Sequence, residues 1–488
     1  MNAAEAEAEE FRRHAHRVVD WIADYWSSVP RMAVAPQLKP GDVRRALPDA
    51  APEQAEDFAD VLRDFQNIVV PGLTHWQHPS FFGYFPANTS APSMLGDLLS
   101  AGVNVQGMLW STSPACTELE ATVCEWLRQL LGLPARFQNN GVIQDTATTA
   151  LLMAMTAALN RAGGRSWRLE GDTRRYTCYT SDQANVMVQR VCRSVGIGDH
   201  RLRHIASDPV TLAMDPGRLE EAVQRDLSQG FVPLAVIATV GTTSTAAVDP
   251  LPAIGEVCTR HGLWLHVDAA YAGAAAVCPE MRWINDGSAA ADSYSTSPHK
   301  WLLTGFDCSV LWLAEPADLM QATSASADYL DSGSEGRIDY GNWQLPLGRR
   351  FRALKLWSVM RCYGAEGLRQ HIRRSIALAA RFRHHLAGDD RFEILVPQYF
   401  GLVCFRLRAG AEATERLLER VNASRQAFFT STRVHGEPAL RFAVGGILTR
   451  EEHIDGAWQL LRDSAPHLAD VLPESQGGAA ILNEGTHR

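Results

Sequence analysis

The sequence has no apolar run long enough to cross a membrane, no CxxC pair and no excess of positive charge. Its first 21 residues are acidic and then amphipathic, unlike a signal or transit peptide. Nine cysteines at irregular spacings support neither a zinc or redox motif nor a disulfide framework. A formal net charge of −9 leaves no basic face for nucleic acid. We therefore expect a cytoplasmic protein without metal, nucleic-acid or membrane partners.

With 488 residues, 46% of them hydrophobic, the chain is long enough for several folding units. Residues 1–85 contain helices with apolar stripes and little sequence around them to form a core, which favours a dimerisation arm. In residues 86–363 apolar strands alternate with helices, which predicts a mainly parallel α/β sheet covered on both faces. Residues 364–475 are expected to form a small α+β domain, and residues 476–488 a disordered tail. The polar segment 322–342 is predicted to be a mobile loop.

Two residues suited to cofactor chemistry follow apolar strands. Asp268 ends the strand run Leu263–Asp268, and Thr243 follows another such run. Ligands of parallel α/β sheets bind beyond the carboxyl ends of the strands. Further along, Lys300 lies in a tight polar turn, and a lysine amine can form a Schiff base with the aldehyde of pyridoxal phosphate. An aspartate can keep the pyridine nitrogen of that cofactor protonated, so the pair predicts pyridoxal phosphate chemistry.

A second motif predicts where the cofactor phosphate binds. The segment from Gly141 to Thr149 precedes a helical run and carries hydroxyls and free backbone N–H groups. Such groups at a helix N-terminus bind phosphate. Thr146, Ala147 and Thr148 are the candidate residues, although an ordinary capped helix would have the same pattern.

Together these motifs resemble a known family. The segments of the chain that match motifs of this family are HVDAAY at 266–271, SPHKW at 297–301, SPACTELE at 113–120 and the segment 338–350. From about residue 11 to residue 460 the chain resembles the pyridoxal-phosphate-dependent group II amino-acid decarboxylases of the aromatic-L-amino-acid type. The resemblance implies a fold-type-I enzyme that is a homodimer, has its active site at the subunit interface and converts an L-amino acid, with an aromatic one favoured, to the amine and carbon dioxide.

The resemblance also implies roles for individual residues. Lys300 would hold the cofactor, Asp268 would pair with its ring nitrogen, and Tyr340 would return a proton to the substrate carbon. The other implied cofactor contacts are Thr146, Ala147, Thr148, Asn185, Thr243, Ala270 and His299. The implied substrate contacts are Trp76, Phe82, Tyr84, Phe85, Pro86, Gln106, Met108 and Gly348.

Several positions depart from the family pattern. Asn185 stands where the family has a histidine that stacks on the cofactor ring, and asparagine is neither an acid nor a base near neutral pH. A similar asparagine marks insect aldehyde synthases, which couple decarboxylation to oxidative loss of the amine. Asp145 replaces a usual glycine in the phosphate segment, and we expect it to face away from the phosphate. Gln106, Met108 and Ala87 alter the implied pocket wall.

The sequence therefore gives three candidate functions. The first is simple decarboxylation, which Tyr340 favours because plant aldehyde synthases have phenylalanine at that position. The second is oxidative decarboxylation to an aldehyde, which Asn185 favours. The third is a non-catalytic scaffold that binds the cofactor, which the presence of Lys300, Asp268 and Tyr340 opposes. The side chain of the substrate is left open, although glycine at Gly348 goes with bulkier aromatic substrates in the family.

Overall fold

Two β-sheets organise the residues that the computed structural model describes, 2–324 and 336–465. The helices are α1 Ala3–Ser28, α2 Asp42–Ala46, α3 Phe58–Asp64, α4 Ala91–Val103, α5 Pro114–Leu131, α6 Ala147–Glu170, α7 Met187–Ser194, α8 Pro216–Ser228, α9 Leu251–His261, α10 Pro298–Trp301, α11 Ala317–Thr323, α12 Ala353–Ala387, α13 Ala411–Ser424 and α14 Glu451–Ser464. The strands are β1 Gly141–Gln144, β2 Tyr176–Ser181, β3 Leu202–Ile205, β4 Val232–Thr239, β5 Trp264–Asp268, β6 Ser293–Thr296, β7 Ser309–Leu313, β8 Phe392–Ile394, β9 Leu402–Leu407, β10 Thr430–Val434 and β11 Glu437–Ala443.

The large sheet has seven strands in the order β1-β7-β6-β5-β4-β2-β3. Strands β3, β2, β4, β5 and β6 are parallel, and β7 is antiparallel to both of its neighbours, β6 and β1. Strand β1 therefore runs in the same direction as β6. As a consequence, the carboxyl ends of six strands face the same edge of the sheet.

Alternate residues of the large sheet enter two different hydrophobic cores, as the twofold period of a strand requires. In β4, Val236 and Ala238 belong to one core, together with residues of α5, α8 and α9. Ala235 and Ile237 of the same strand belong to the other core, together with residues of α6 and α7. Helices thus cover both faces, and the prediction of a mainly parallel three-layer α/β domain is confirmed.

The small sheet is antiparallel, with the order β10-β11-β9-β8. Helices α12, α13 and α14 pack on it around Phe382, Phe405 and Phe442. Helix α12 joins the two cores, because its residues up to Ile372 pack on the large sheet and those from Leu378 pack on the small one. The predicted division at residues 363 and 364 falls inside this helix, at the non-helical Gly364, and stays a prediction.

Helix α1 has no buried residue, although its apolar side chains share one stripe. Together with Phe58 and residues of α4 it lines a groove of about 780 Å³. The side chains of Phe11 and Leu98 in this groove are 67% and 48% exposed. The early helix is therefore present as predicted, and the described residues of this chain do not cover its apolar stripe.

Of the predicted mobile loop, residues 325–335 lie outside the described residues. Before these residues, helix α11 ends at Thr323. After them, a 3₁₀ turn extends from Tyr340 to Trp343. The predicted tail 476–488 also lies outside the described residues.

Candidate active site

Five of the sequence motifs follow strands at one edge of the large sheet. Asp145 follows β1, Asn185 follows β2, Thr243 follows β4, Asp268 ends β5, and Lys300 follows β6. Because these strands run in the same direction, the fold alone brings the motifs together from distant parts of the sequence. This edge is where ligands of parallel α/β sheets bind.

Asp268 and Lys300 form a charge pair inside this edge. Burial lowers the pKa of the Lys300 ammonium, and the Asp268 carboxylate opposes that change. Burial likewise raises the pKa of Asp268, opposed by Lys300 and by a hydrogen bond of 3.1 Å from the backbone N–H of Ala270. An amine that loses its proton readily is a better nucleophile toward an aldehyde, which suits the predicted attachment of the cofactor.

His299 is buried beside Lys300, and its hydrogen bonds assign its proton. Its Nδ1 accepts a hydrogen bond of 2.9 Å from the backbone N–H of Cys308. Burial, and then the neighbouring Lys300 charge, lowers the pKa of His299 to about 4. The imidazole is thus neutral near pH 7 with its proton on Nε2, which can donate to an anionic oxygen.

The predicted phosphate segment lies at the start of the 24-residue helix α6. Thr146 is the N-cap residue, and its side chain makes no capping hydrogen bond. The expectation that Asp145 faces away is wrong. Its Oδ1 accepts hydrogen bonds from the backbone N–H of Thr146 at 2.5 Å and from its hydroxyl at 3.3 Å. The physical reason is that a carboxylate at a helix N-terminus is attracted by the unpaired N–H groups there.

Asn185 joins the ends of β2 and β4. Its side-chain Nδ2 donates to Oγ1 of Thr243 at 2.8 Å, and its Oδ1 accepts from the backbone N–H of Met187 at 2.9 Å. The sulfur of Met187 in turn accepts a 3.9 Å hydrogen bond from the hydroxyl of Thr148. Asn185 therefore links the start of α7 to Thr243, and Met187 links it to Thr148 of the phosphate segment.

The aromatic residues that precede Ala87, from Trp76 to Phe85, lie in two different environments. Phe85 stacks on Tyr271 with the ring centroids 3.6 Å apart, and Tyr271 stacks on Trp301, directly after Lys300. Trp76 and Tyr84 stack on each other at 5.5 Å and are partly exposed. Phe85 is thus linked to the residue after Lys300 through the Tyr271 ring, and Pro86 is buried next to Phe85.

Phe82 does not lie in that group. It is fully buried in the core of the small sheet, with its ring centroid 4.1 Å from that of Phe442. The prediction that Phe82 contacts substrate does not agree with this position. Its apolar neighbours explain the difference, because a phenylalanine next to a β-sheet gains more by filling its core.

Four other predicted site residues form a separate cluster. Gly341 donates its N–H to the carbonyl of Met108 at 2.7 Å, and the side chain of Gln106 accepts from the N–H of Arg349, next to Gly348. The ring of Tyr340 lies under the Arg349 guanidinium at 4.9 Å. Gln106, Met108, Gly348 and Tyr340 thus belong to one cluster, which we call the loop-base cluster.

Tyr340 is not beside Lys300 in this conformation. Its hydroxyl donates a 3.2 Å hydrogen bond to the carbonyl of Gly141, at the opposite end of β1 from the phosphate segment. Burial raises the pKa of Tyr340 well above its usual value. The hydroxyl of the predicted proton donor is therefore bound, within this chain, to the backbone of β1.

Three further residues at this edge were not predicted from the sequence. The buried Asn88 donates to the carbonyl of Lys300 and to the carbonyl of Gly445, each at 2.8 Å. His266 is fully buried two residues before Asp268 and contacts Ser293 Oγ at 2.8 Å. Arg441 is 3% exposed, and its Nη2 has no hydrogen-bond partner among the described residues. A charged residue inside the apolar strand run 439–444 was the available signal for Arg441.

The residues present fit pyridoxal 5′-phosphate. Lys300 offers a partly buried amine, Asp268 a buried carboxylate that interacts with it electrostatically, and His299 an Nε2–H donor. The N-terminus of α6 supplies the backbone donors that a phosphate needs, and Asp145 occupies one of them, the N–H of Thr146. Among residues 2–324 and 336–465, neither a cluster of metal ligands nor a helix that could span a membrane is found.

Comparison with known proteins gives the family. Residues 40–408 match the model described as the pyridoxal-dependent decarboxylase conserved domain. The chain belongs to this family. The decarboxylase is 44% identical to tyrosine decarboxylase 2 of Narcissus pseudonarcissus, over 97% of both chains. It is 42% identical to phenylacetaldehyde synthase of Arabidopsis thaliana, over 95% of this chain and 97% of that protein.

A solved structure agrees with this assignment. The crystal structure of Oryza sativa TDC with PLP and tryptamine superposes on the decarboxylase with a TM-score of 0.90 and 40% identity, covering 95% of this chain and 98% of that one. The decarboxylase is thus a fold-type-I carboxy-lyase of the aromatic-L-amino-acid type that uses pyridoxal 5′-phosphate, and the predicted family, fold, reaction and cofactor are confirmed.

Proposed function

We propose that the enzyme converts an aromatic L-amino acid to the corresponding amine and carbon dioxide. The observation that carries this proposal is the buried Asp268–Lys300 pair at the strand-end edge, with Phe85, Trp76 and Tyr84 nearby. The relatives named for tyrosine, and the solved structure with tryptamine, support an aromatic side chain. A cytosolic location is supported by nine unpaired cysteines.

We assign the following roles. Asp268 would keep a proton on the ring nitrogen of the cofactor, and Lys300 would hold the cofactor through its side-chain amine and displace the product amine. Thr146, Ala147, Thr148 and His299 bind the phosphate, Ala270 packs against the ring, and Asn185 is held beside it by Thr243. When bound, the pyridine ring accepts the electron pair that carbon dioxide leaves behind. Tyr340 then donates a proton to the substrate α-carbon.

Arg441 is assigned to the substrate carboxylate. Its guanidinium lies 5.1 Å from the ring centroid of Phe85, and its Nε donates to the carbonyl of Ser244, which follows Thr243. A buried guanidinium with one unpaired nitrogen is costly without an anion. A carboxylate that binds there would complete its hydrogen bonds.

We further propose a homodimer whose active site is shared between subunits. The loop-base cluster lies apart from Lys300, although both are expected to act on one substrate. A second copy of the chain that places its loop-base cluster at this edge would supply Tyr340, Gln106, Met108 and Gly348 to the site.

The exposed groove along α1 supports the same proposal. It is lined almost wholly by apolar side chains, including Phe11, Val18, Leu95 and Leu98. Exposed apolar patches of this kind mark interfaces. A second copy would cover it with its own α1, which makes residues 1–85 a dimerisation arm. We keep the proposed division into this arm, the large domain 86–363 and the small domain 364–475.

The second candidate is oxidative decarboxylation to an aldehyde, favoured by one observation. Asn185 has both polar atoms engaged, with Thr243 and Met187, and cannot move a proton. The similarity to phenylacetaldehyde synthase supports the same outcome. We rank it second because Tyr340 is present.

The test is a panel of L-amino acids with carbon dioxide, amine, aldehyde and hydrogen peroxide measured in the same reaction. We expect turnover with tryptophan, tyrosine or phenylalanine, amine as the main product, and a minor aldehyde fraction with matching peroxide. Turnover confined to acidic amino acids would contradict the aromatic assignment. Aldehyde and peroxide in equal amounts with carbon dioxide would establish the second candidate instead.

A further inference from the structure

The carboxylate of Asp145 occupies donors that a bound phosphate would use. Its Oδ1 holds both the backbone N–H and the hydroxyl of Thr146, the N-cap residue of α6. An N–H group directs its hydrogen toward one acceptor, so a phosphate oxygen cannot use it while the carboxylate remains. The phosphate also carries negative charge, and like charges at one helix terminus repel each other.

A partly buried cation, Arg352, also acts on the Asp145 carboxylate. Arg352 lies within the electrostatic range of Asp145 and is bound to Asp307 by hydrogen bonds of 2.8 and 3.3 Å. Burial disfavours the Arg352 charge, but Asp307 and Asp145 together raise its pKa above the usual value. The Arg352 charge therefore already attracts the Asp145 carboxylate in its present position at Thr146.

We propose that Asp145 is an internal competitor of the cofactor phosphate, which weakens cofactor binding by this decarboxylase and makes the cofactor exchangeable. Without cofactor the carboxylate holds the backbone N–H and the hydroxyl of Thr146; with cofactor the phosphate takes these donors and the carboxylate leaves them. The inference rests on the proposed phosphate position at Thr146, Ala147 and Thr148. It concerns a residue of this chain that stands where the resembling family has glycine.

The experiment compares two cofactors on four holoenzymes: wild type, Asp145→Asn, Asp145→Gly and Asp215→Asn. Each is dialysed against graded pyridoxal 5′-phosphate, and the bound cofactor is measured by its absorbance to give Kd. The same series is repeated with pyridoxal, which lacks the phosphate. Asp215 is the matched control because it also caps a helix, α8, with hydrogen bonds to the N–H groups of Gly217 and Arg218.

We expect Asp145→Gly to bind pyridoxal 5′-phosphate on the order of ten-fold more tightly than wild type, which corresponds to about 1.4 kcal/mol. Asp145→Asn should lie between the two, because it keeps the hydrogen bond and loses the charge. Asp215→Asn should match wild type. With pyridoxal all four proteins should have the same Kd within about two-fold, because no anion competes for the donors.

Two results would overturn the inference. If both Asp145 variants bind pyridoxal 5′-phosphate within two-fold of wild type, there is no competition. If they also gain the same factor with pyridoxal, the substitution changes the shape of the site and not the binding of an anion. Failure of the proposed function would look different, because the cofactor would then be absent from Lys300 in wild type after borohydride reduction and peptide mapping.

Discussion

Asn185 donates its side-chain amide to Oγ1 of Thr243 at 2.8 Å, and this bond joins two loops at the cofactor edge. An imidazole in the same position could exchange protons, whereas the amide cannot. The Asn185–Thr243 pair therefore fixes the geometry of the edge without adding an acid or a base. What happens to the substrate after carbon dioxide leaves then depends more strongly on Tyr340.

The first prediction concerns the product ratio. Tyr340→Phe should shift the product from amine toward aldehyde, and Asn185→His should shift it toward amine, because proton transfer to the α-carbon competes with attack by oxygen. A proton-transferring group typically contributes ~10²–10⁴-fold in rate, which is enough to change the main product. Amine, aldehyde and peroxide are measured together for the three proteins. If neither wild type nor Tyr340→Phe releases peroxide, Asn185 is a tolerated substitution.

The second prediction concerns the buried pair. Lys300→Ala should abolish covalent attachment of the cofactor and turnover. Asp268→Asn should retain cofactor but lose on the order of 10²-fold or more in kcat, because a neutral amide cannot stabilise a protonated ring nitrogen. Borohydride reduction and peptide mapping locate the attachment. A label on another lysine, or near-full activity of Asp268→Asn, would remove the respective residue from its role.

A third prediction tests the shared site. Dimers that combine one Lys300→Ala chain with one Tyr340→Phe chain are purified through two different tags. If Tyr340 serves the partner subunit, such dimers have one complete site of two, and amine formation should be about half that of wild type. The two variant homodimers are the controls. Mixed dimers that form no more amine than Tyr340→Phe homodimers would show that Tyr340 acts in its own subunit.

The fourth prediction tests whether Arg441 binds the carboxylate of the substrate. Arg441→Met should raise KM for the amino acid by about ten-fold or more, because a buried charge pair with the substrate carboxylate is lost. Inhibition by the product amine, which lacks that carboxylate, should change by less than two-fold, and Arg441→Lys should recover part of the loss. An equal loss of affinity for amine and amino acid would instead indicate a structural role.

The fifth prediction is a dependence of stability on pH. Burial lowers the pKa of His266 and His371 to about 3 and that of His78 to about 4, from the usual 6.5. Between about pH 4 and pH 6.5 the unfolded chain binds protons that the native state excludes. The free energy of unfolding should therefore fall as pH falls through this window, by up to about 1.4 kcal/mol per pH unit for each histidine.

Two carboxyl groups, Asp249 and Asp268, oppose that trend, because burial raises the pKa of each. Burial raises the pKa of Asp249 to about 6, so its own contribution to stability grows as pH falls. Urea unfolding midpoints at pH 7, 6 and 5 measure the balance, and we expect a net loss. His371→Gln should reduce the dependence of the unfolding free energy on pH by up to about 1.4 kcal/mol per pH unit, which is the contribution of one proton. A midpoint that does not move with pH would contradict the assignment of neutral buried histidines.

The strand-end residues were predictable from the sequence because apolar strand runs are local signals and parallel strands bring their ends together. Asp268 and Thr243 lie at strand ends as predicted on that basis, whereas the strand β6 that precedes Lys300 was not predicted. Phe82 was not, because an aromatic residue in a turn can serve either a pocket or a core. Asp145 was assigned the wrong direction, since the attraction of a helix N-terminus for a carboxylate depends on a rotamer and not on the residue pattern. Asn88 left no signal at all, because its two partners, Lys300 and Gly445, are far apart in sequence.

Asn88 has a mechanical consequence. Its one amide nitrogen holds the backbone of the lysine turn and the backbone of Gly445, which directly follows the last residues of the small-sheet core. Any rotation of the small sheet against the large one must stretch one of these two bonds or carry the lysine turn with it. The orientation of the small sheet relative to the large one therefore affects the position of Lys300. Substitutions far away in α13 or α14 can for this reason alter how the enzyme holds its cofactor.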